Sequence, residues 1–485
     1  MKKITTYIIT AALGTAVLTG CKKDFLDINE NPNSPSKVNI TEVLPSAELA
    51  IGHVMGNNFQ IFGGIWAQYW TQNPFSSQYK TIEQYAPSAN DFDSPWRICY
   101  SDALQDLNFV IKKGTEDGKM QHVACAKILQ AYTYQILTDN FGDIPFSEAL
   151  KGEEGNTTPK YDSQKDVYDG IIGLINEGLA LIDVSATNAP SSEDLIFHGD
   201  MSMWKKFANT LKLRVYLRLA YVDPAKAQAG VASLAGASFL AAGEDAKINY
   251  LSTPGNTNPL YSVFSEIRNT QNIVASYTCL DSMYYNNDDR ITVFYDTIPG
   301  PDYNGHLQGD YTDISTPVSQ ISFPHPNTGG NASKPASAFA PVKLMSDYES
   351  IFLQAEAAAR GWLGGSAQTL YYDGITASYQ AYGLTTAATY IANPNVTFPA
   401  SGTLDQKIEA IITQKYYSMC GNQCNEAWVE YRRTGYPSFL IESVSSIIGS
   451  GRMPNRMFYP STELTRNPNM PGQKMIYDRV WWDIN

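Results

Sequence analysis

The chain has 485 residues, 43% hydrophobic and 17% charged, with a formal net charge of -13. A mean hydropathy of -0.26 excludes a membrane-spanning bundle, and an acidic balance without a basic cluster excludes polyanions, nucleic acid among them, as partners. This length can bury one large core or roughly two to three ordinary ones.

At the amino terminus, Lys2 and Lys3 precede a short apolar run from Ile4 to Leu18, closed by Leu18-Thr19-Gly20-Cys21. The run is too short and too sharply ended for a spanning helix, so residues 1–20 are expected to be a signal peptide. Small residues before a cysteine are what a lipoprotein signal peptidase requires, and Cys21 is the expected lipidation site. Lipid on Cys21 would then be the anchor to the membrane. Residues 21–37, rich in Asn, Pro and Ser, read as a lipidated tether. A single domain is expected from 38 to 485.

Helical patterning begins near Val43. Trp66, Tyr69 and Trp70 then crowd together before the breaker Thr71-Gln72-Asn73-Pro74, and Phe75, Tyr79, Tyr85, Phe92 and Trp96 follow in polar, loop-like sequence. Residues 120–138 are apolar nearly all round, which predicts a central buried helix. Further helices are predicted over about 167–182 and 203–221. In the latter, Trp204, Phe207, Ala208, Leu211, Val215 and Leu219 form one face, and Lys205, Lys206, Lys212, Arg214 and Arg218 read as a solvated one.

From about 243 to 341 Pro, Gly, Asn, Thr and Tyr dominate, and short β-like runs such as Ile291 to Tyr295 appear. This is read as a loop-rich insertion. Helices return at Ser346. Tyr348, Ile351, Phe352, Ala355, Ala358, Ala359 and Trp362 make one apolar stripe, Ser346 and Glu349 have capping-box spacing, and Glu356 and Arg360 form an outer-face i, i+4 pair. After Gly364-Gly365, Tyr371, Gly374, Ile375, Ser378 and Tyr382 repeat the stripe. Another helix is predicted over 404–419. The fold class is therefore mainly α: tetratricopeptide-like helical-hairpin repeats in a superhelix, with long loop-rich insertions.

No catalytic motif emerges. The five histidines, His53, His122, His198, His306 and His325, lack ligand spacing, and no HExxH, GxSxG, P-loop or GxGxxG occurs. Asp288-Asp289 and Glu153-Glu154 are sequence neighbours that would not face a glycoside from opposite sides. An enzyme, a cofactor and a metal site are therefore not expected. Cys420 and Cys424, one helical turn apart, could be helix neighbours, a local bridge or a metal pair, and packed thiols are the expectation.

The positive signal is aromatic, with 31 Tyr, 19 Phe and 8 Trp making 12% of the chain. Rings in loop sequence beside Asn, Gln, Ser and Thr suit sugars, whose C–H faces stack while their hydroxyls hydrogen-bond; packing of inter-helix gaps is the competing reading of each ring. On this basis the candidate ligand residues are Trp66, Tyr69, Trp70, Gln72, Asn73, Tyr79 and Trp96, with Tyr284, Tyr285 and Tyr303 from the insertion.

Several stretches resemble the SusD/RagB family of nutrient-binding outer-membrane lipoproteins, in its SusD-like branch: Cys21 with FLDINENPNSP, LTDNFGDIPFSEAL from Leu137, ESIFLQAEAAARGW, YYDGITASYQAYG, IITQKYYSMCGNQCNEAWVEYRRTGYP and RMPNRMFYPSTELTRNP. The middle, about 185–340, carries little resemblance. The resemblance implies a helical fold with tetratricopeptide-like units and a cell-surface location. It also implies a TonB-dependent SusC-type barrel transporter as partner, to which an oligosaccharide, or in some members a peptide, is delivered without bond cleavage. Arg432, Arg433 and Arg456, with Tyr459-Pro460 and Glu463, match family motifs and are read as structural. A helical-repeat envelope scaffold without a small ligand, and a secreted glycan hydrolase, are the competing functions.

Overall fold

The computed structural model describes residues 39–267, 271–316 and 335–484. The expected signal peptide, Cys21 and the expected tether lie outside the described residues. In chain order the elements are α1 (Ile40–Gly56), α2 (Asn58–Trp66), β1 (Trp70–Gln72), α3 (Lys80–Glu83), α4 (Asp93–Arg97), α5 (Gln105–Glu116), α6 (Met120–Phe141), α7 (Gln164–Leu181), α8 (Met201–Arg218) and α9 (Pro224–Ala232). There follow β2 (Ala246–Ile248), α10 (Pro259–Tyr261), β3 (Ile273–Ala275), α11 (Tyr277–Tyr285), α12 (Ile291–Phe294) and β4 (Val342–Met345). The carboxy-terminal part holds α13 (Asp347–Ala359), α14 (Ala367–Ala381), α15 (Ala387–Ile391), α16 (Leu404–Met419), α17 (Cys424–Thr434) and α18 (Ser461–Arg466). A π-helical turn, Ile98–Leu104, joins α4 to α5.

Helical hairpins form the body, and small residues set how closely they pack. In α6–α7 a Cβ on Gly178 would lie 2.8 Å from Ile128 Cγ1, and in α13–α14 one on Gly374 would lie 2.7 Å from the Phe352 ring. These glycines let large side chains of one helix nest against the backbone of its partner. α6 is buried on nearly every side, as its all-round apolar sequence predicts. Ser346 caps α13 by accepting from the Glu349 amide at 3.1 Å. The Glu349 carboxylate does not return to Ser346, because Arg214 at 3.3 Å and Gln423 claim it.

Three expectations are corrected here. Arg214 and Arg218 are not on a solvated face: both guanidiniums are buried, although Lys205 of the same helix is exposed and Lys206 and Lys212 are half-buried. Arg218 meets Asp139 at 3.4 Å, Glu426 at 2.6 Å and Glu430, while Arg214 donates twice to Gln135 Oε1, at 3.1 and 2.9 Å, and also to Glu349. Glu356 is likewise buried, shared between Arg360 at 2.9 Å and Arg433 at 2.6 Å. Burial pushes the Glu430 carboxyl up, but Arg433, Lys415 and Arg218 hold it well below the usual range. Each charge here is paired, the condition under which buried charge is tolerated. Finally, Ile291 to Phe294 is a helical turn rather than a strand.

Arg432, Arg433 and Arg456 are structural side chains. Arg432 donates to the Asp139 and Asn455 carbonyls, each at 2.8 Å, and Arg456 to that of Phe141, closing the end of α6. Cys99, Cys125, Cys279, Cys420 and Cys424 are all buried free thiols.

The 243–341 segment is sewn to the body by two short antiparallel ladders. β1 pairs with β3 in the register Trp70↔Ala275, Thr71↔Val274, Gln72↔Ile273, and β2 pairs with β4 with an irregularity between Ala246 and Lys247. Among the described residues no helix is long and apolar enough to cross a membrane.

Candidate functional site

The β1–β3 ladder decides the fate of the amino-terminal candidates. Trp66, Tyr69, Trp70, Gln72, Asn73, Tyr79 and Trp96 are all buried. Trp66 donates its indole N–H to the Ile82 carbonyl at 3.1 Å and packs on Trp428 at 4.7 Å. Tyr69 stacks on Tyr416 at 4.5 Å and donates its hydroxyl to the Tyr416 carbonyl at 2.5 Å. A Cβ on Gly64 would stand 2.3 Å from the Trp70 ring. Gln72 donates to the Asn73 carbonyl at 3.0 Å and accepts from the Tyr79 amide at 2.5 Å, Asn73 donates to the Gln271 carbonyl at 2.8 Å, and Tyr79 meets Phe264 edge-on at 6.1 Å. The expectation that they are exposed is therefore corrected: Tyr69, Trp70, Gln72, Asn73 and Tyr79 hold the segment on the body, while Trp66 and Trp96 pack within the helical body itself. Trp96 differs in one respect, since an edge of it lines a cleft.

The structure instead raises a tyrosine face on α11. Ser276 accepts from the Thr278 amide at 3.3 Å, and its own amide donates to the Tyr69 carbonyl at 3.1 Å, so the helix starts where the ladder ends. Cys279, Leu280 and Met283 turn into the core. Tyr277, Asp281, Tyr284 and Tyr285 follow at i, i+4, i+7 and i+8, on the opposite side. Tyr277, Tyr284 and Tyr285 are 48%, 51% and 73% exposed, in a protein whose other large rings are mostly buried. Tyr284 and Tyr285 meet edge to face at 5.8 Å.

Polar groups frame these rings. The Tyr277 hydroxyl hydrogen-bonds Asp281, and the Asp281 carboxylate together with that bond moves the phenol upward. Burial raises the Asp281 carboxyl, which the bond from Tyr277 partly offsets. At the helix end Asn286 donates to the Ser282 carbonyl at 2.8 Å, while Asn393 and Asn395 donate to its backbone and side-chain oxygens at 2.8 and 3.3 Å. Tyr303 is half-buried against the core.

Behind the face, Asp288 is held by the Arg290 guanidinium at 2.6 Å, and Arg290 also donates to Gln414, Ser378 and Ser418. That carboxylate is therefore spent on a structural pair. Among the described residues no group of three or more His, Cys, Asp or Glu is arranged to hold a metal.

Of the ten candidate ligand residues, then, Tyr284 and Tyr285 are brought together at the surface. Tyr277 and Asp281 were missed by sequence reasoning. Their signal was the helical period in YTCLDSMYY, obscured by the loop-like composition around it. A face of exposed rings, one carboxylate and nearby amides can stack on sugar C–H surfaces and hydrogen-bond hydroxyls.

No curated protein matches the chain. Among solved structures it is similar to a SusD homologue from Bacteroides uniformis, at 25% identity and a TM-score of 0.79, covering 92% of this chain and 99% of that one. It is also similar to a protein named as chitin-binding, at 27% identity and a TM-score of 0.78, covering 92% and 100%. A third is a chitin-binding SusD homologue from Flavobacterium johnsoniae, at 26% identity and a TM-score of 0.77, covering 91% and 99%. Residues 32–460 match the SusD-like family described as starch-binding and associating with the outer membrane, and the chain belongs to that family.

Proposed function

We propose that this protein captures an oligosaccharide at the cell surface and passes it to a TonB-dependent SusC-type outer-membrane transporter. SusD-like proteins are binding proteins rather than enzymes. The observation that carries the reading is the α11 face, where Tyr277, Tyr284 and Tyr285 stand exposed beside Asp281. Flat rings with an adjacent acceptor suit a neutral sugar chain better than a peptide, whose backbone would call for a groove or sheet edge. The family description and the chitin-binding relatives point to starch-type and chitin-type oligosaccharides as the first ligands to try. Lipid on Cys21 would hold the protein on the outer membrane, facing outward, with residues 21–37 as tether.

Calorimetric titration with malto- and chito-oligosaccharides tests the ligand class. Saturable binding of one series is expected; binding of peptides alone would favour the peptide reading. Co-purification with a barrel transporter from detergent-solubilised membranes tests the partner, and its consistent absence would favour the envelope scaffold.

A further inference from the structure

We propose a second ligand site, separate from the tyrosine face, for a small amphipathic carboxylate: an apolar body bearing one carboxylate group. A cleft of about 560 Å³ opens between α4, the π-helical turn after it, the loop beyond α6 and α18, a size within the range of ligand cavities.

Its floor is apolar and rigid. The Trp96 ring is held edge-on by Phe141 at 5.0 Å and lies nearly parallel to Tyr161 at 6.4 Å. The Tyr100 hydroxyl donates to the Pro145 carbonyl at 2.7 Å, so its polar tip is already occupied. Leu150, at the rim, has a φ of 63°, a left-handed conformation that a non-glycine residue keeps only when its surroundings fix it.

The charges on the walls are unequally committed. Asp93 accepts from Ser461 Oγ at 2.5 Å and from the Thr462 amide and hydroxyl at 3.0 Å. Glu463 accepts from the Tyr161 hydroxyl at 2.7 Å and from Asn467 at 3.2 Å. Arg97 is clamped on Asp102 at 2.9 and 2.7 Å. Arg466, exposed at the end of α18, forms no ion pair among the described residues. A guanidinium fork fits a carboxylate through two parallel bonds. The Trp96, Leu150 and Pro145 surface would receive an apolar body, whereas an oligosaccharide would find few free hydroxyl partners beyond Ser94 and Ser101.

Saturation-transfer NMR on the full chain, with N-acetylphenylalanine and its primary amide as probes, tests this site. The acid is expected to bind about tenfold more tightly than the amide, and Arg466→Gln to bring it down to the amide's level. The double variant Tyr284→Ala/Tyr285→Ala is expected to bind the acid as the unaltered protein does, whatever its effect on glycans. Equal binding of acid and amide, no binding of the acid in the millimolar range, or full binding by the exposed-surface variant Arg466→Gln would each overturn the proposal. So would displacement of the acid by neutral chito-oligosaccharides, which would assign the cleft to glycan instead.

Discussion

The hydroxyl of Tyr311 donates to the Glu83 carboxylate at 2.5 Å, joining the 243–341 segment to α3 of the helical body. The same carboxylate accepts from Thr71 Oγ1 and from the Gln72 amide at 3.2 Å, beside the β1–β3 ladder. Burial pushes the Glu83 carboxyl up to about 7, with the bonds from Thr71, Tyr311 and Gln72 offsetting part of the rise. A carboxyl raised in the folded state favours folding most when protonated. The stability it allows is fully present below its ordinary value of 4.5 and is lost as pH rises through about 7. Between about pH 5 and pH 8 this group should cost on the order of 3 kcal/mol, and Glu83→Gln should remove that loss. Urea unfolding of both proteins across this range checks the difference, and identical pH slopes would contradict it.

The approach of α2 to α17 gives a second prediction. A Cβ on Gly63 would lie 2.3 Å from the Asn425 amide nitrogen and 2.5 Å from its Cα, and backbone atoms cannot swing aside. Gly63→Ala should destabilise the protein by about 1–3 kcal/mol. A variant with unchanged unfolding midpoint would show that the two helices are less closely packed.

Trp66 is sealed between Ile82 and Trp428. Trp66→Ala should cost about 3–5 kcal/mol, as truncation of a buried Trp does. Glycan affinity of the protein that remains folded should be unchanged. A variant that kept its melting temperature and lost its ligand would return Trp66 to the binding surface.

Legibility in the sequence followed periodicity. The α13–α14 stripe, the all-round apolar α6 and the bounds of α16 were readable because helical spacing repeats over several turns. Arg214 and Arg218 misled for a simple reason: their partners Glu349, Glu426 and Glu430 lie far along the chain, so only the fold reveals the pairing. Trp66, Tyr69 and Trp70 misled in the opposite sense, because the partners that bury them are distant in sequence: Trp428 for Trp66, Tyr416 for Tyr69 and the ladder to β3 for Trp70. α11, only nine residues long, lies in sequence too rich in turn formers for its amphipathic face to stand out. Tyr284 and Tyr285 were singled out by composition, but what gathers them with Tyr277 and Asp281 is that helix.

The central claim, that the α11 tyrosines hold the glycan, is tested most directly by calorimetric titration of the unaltered protein and the Tyr284→Ala/Tyr285→Ala variant with the same chito- or malto-oligosaccharide. Both side chains are exposed, so the melting temperature should not move. Loss of two stacking rings, each contributing about 1 kcal/mol, should weaken binding at least tenfold. Undiminished affinity in the variant would contradict the assignment of this face as the ligand site.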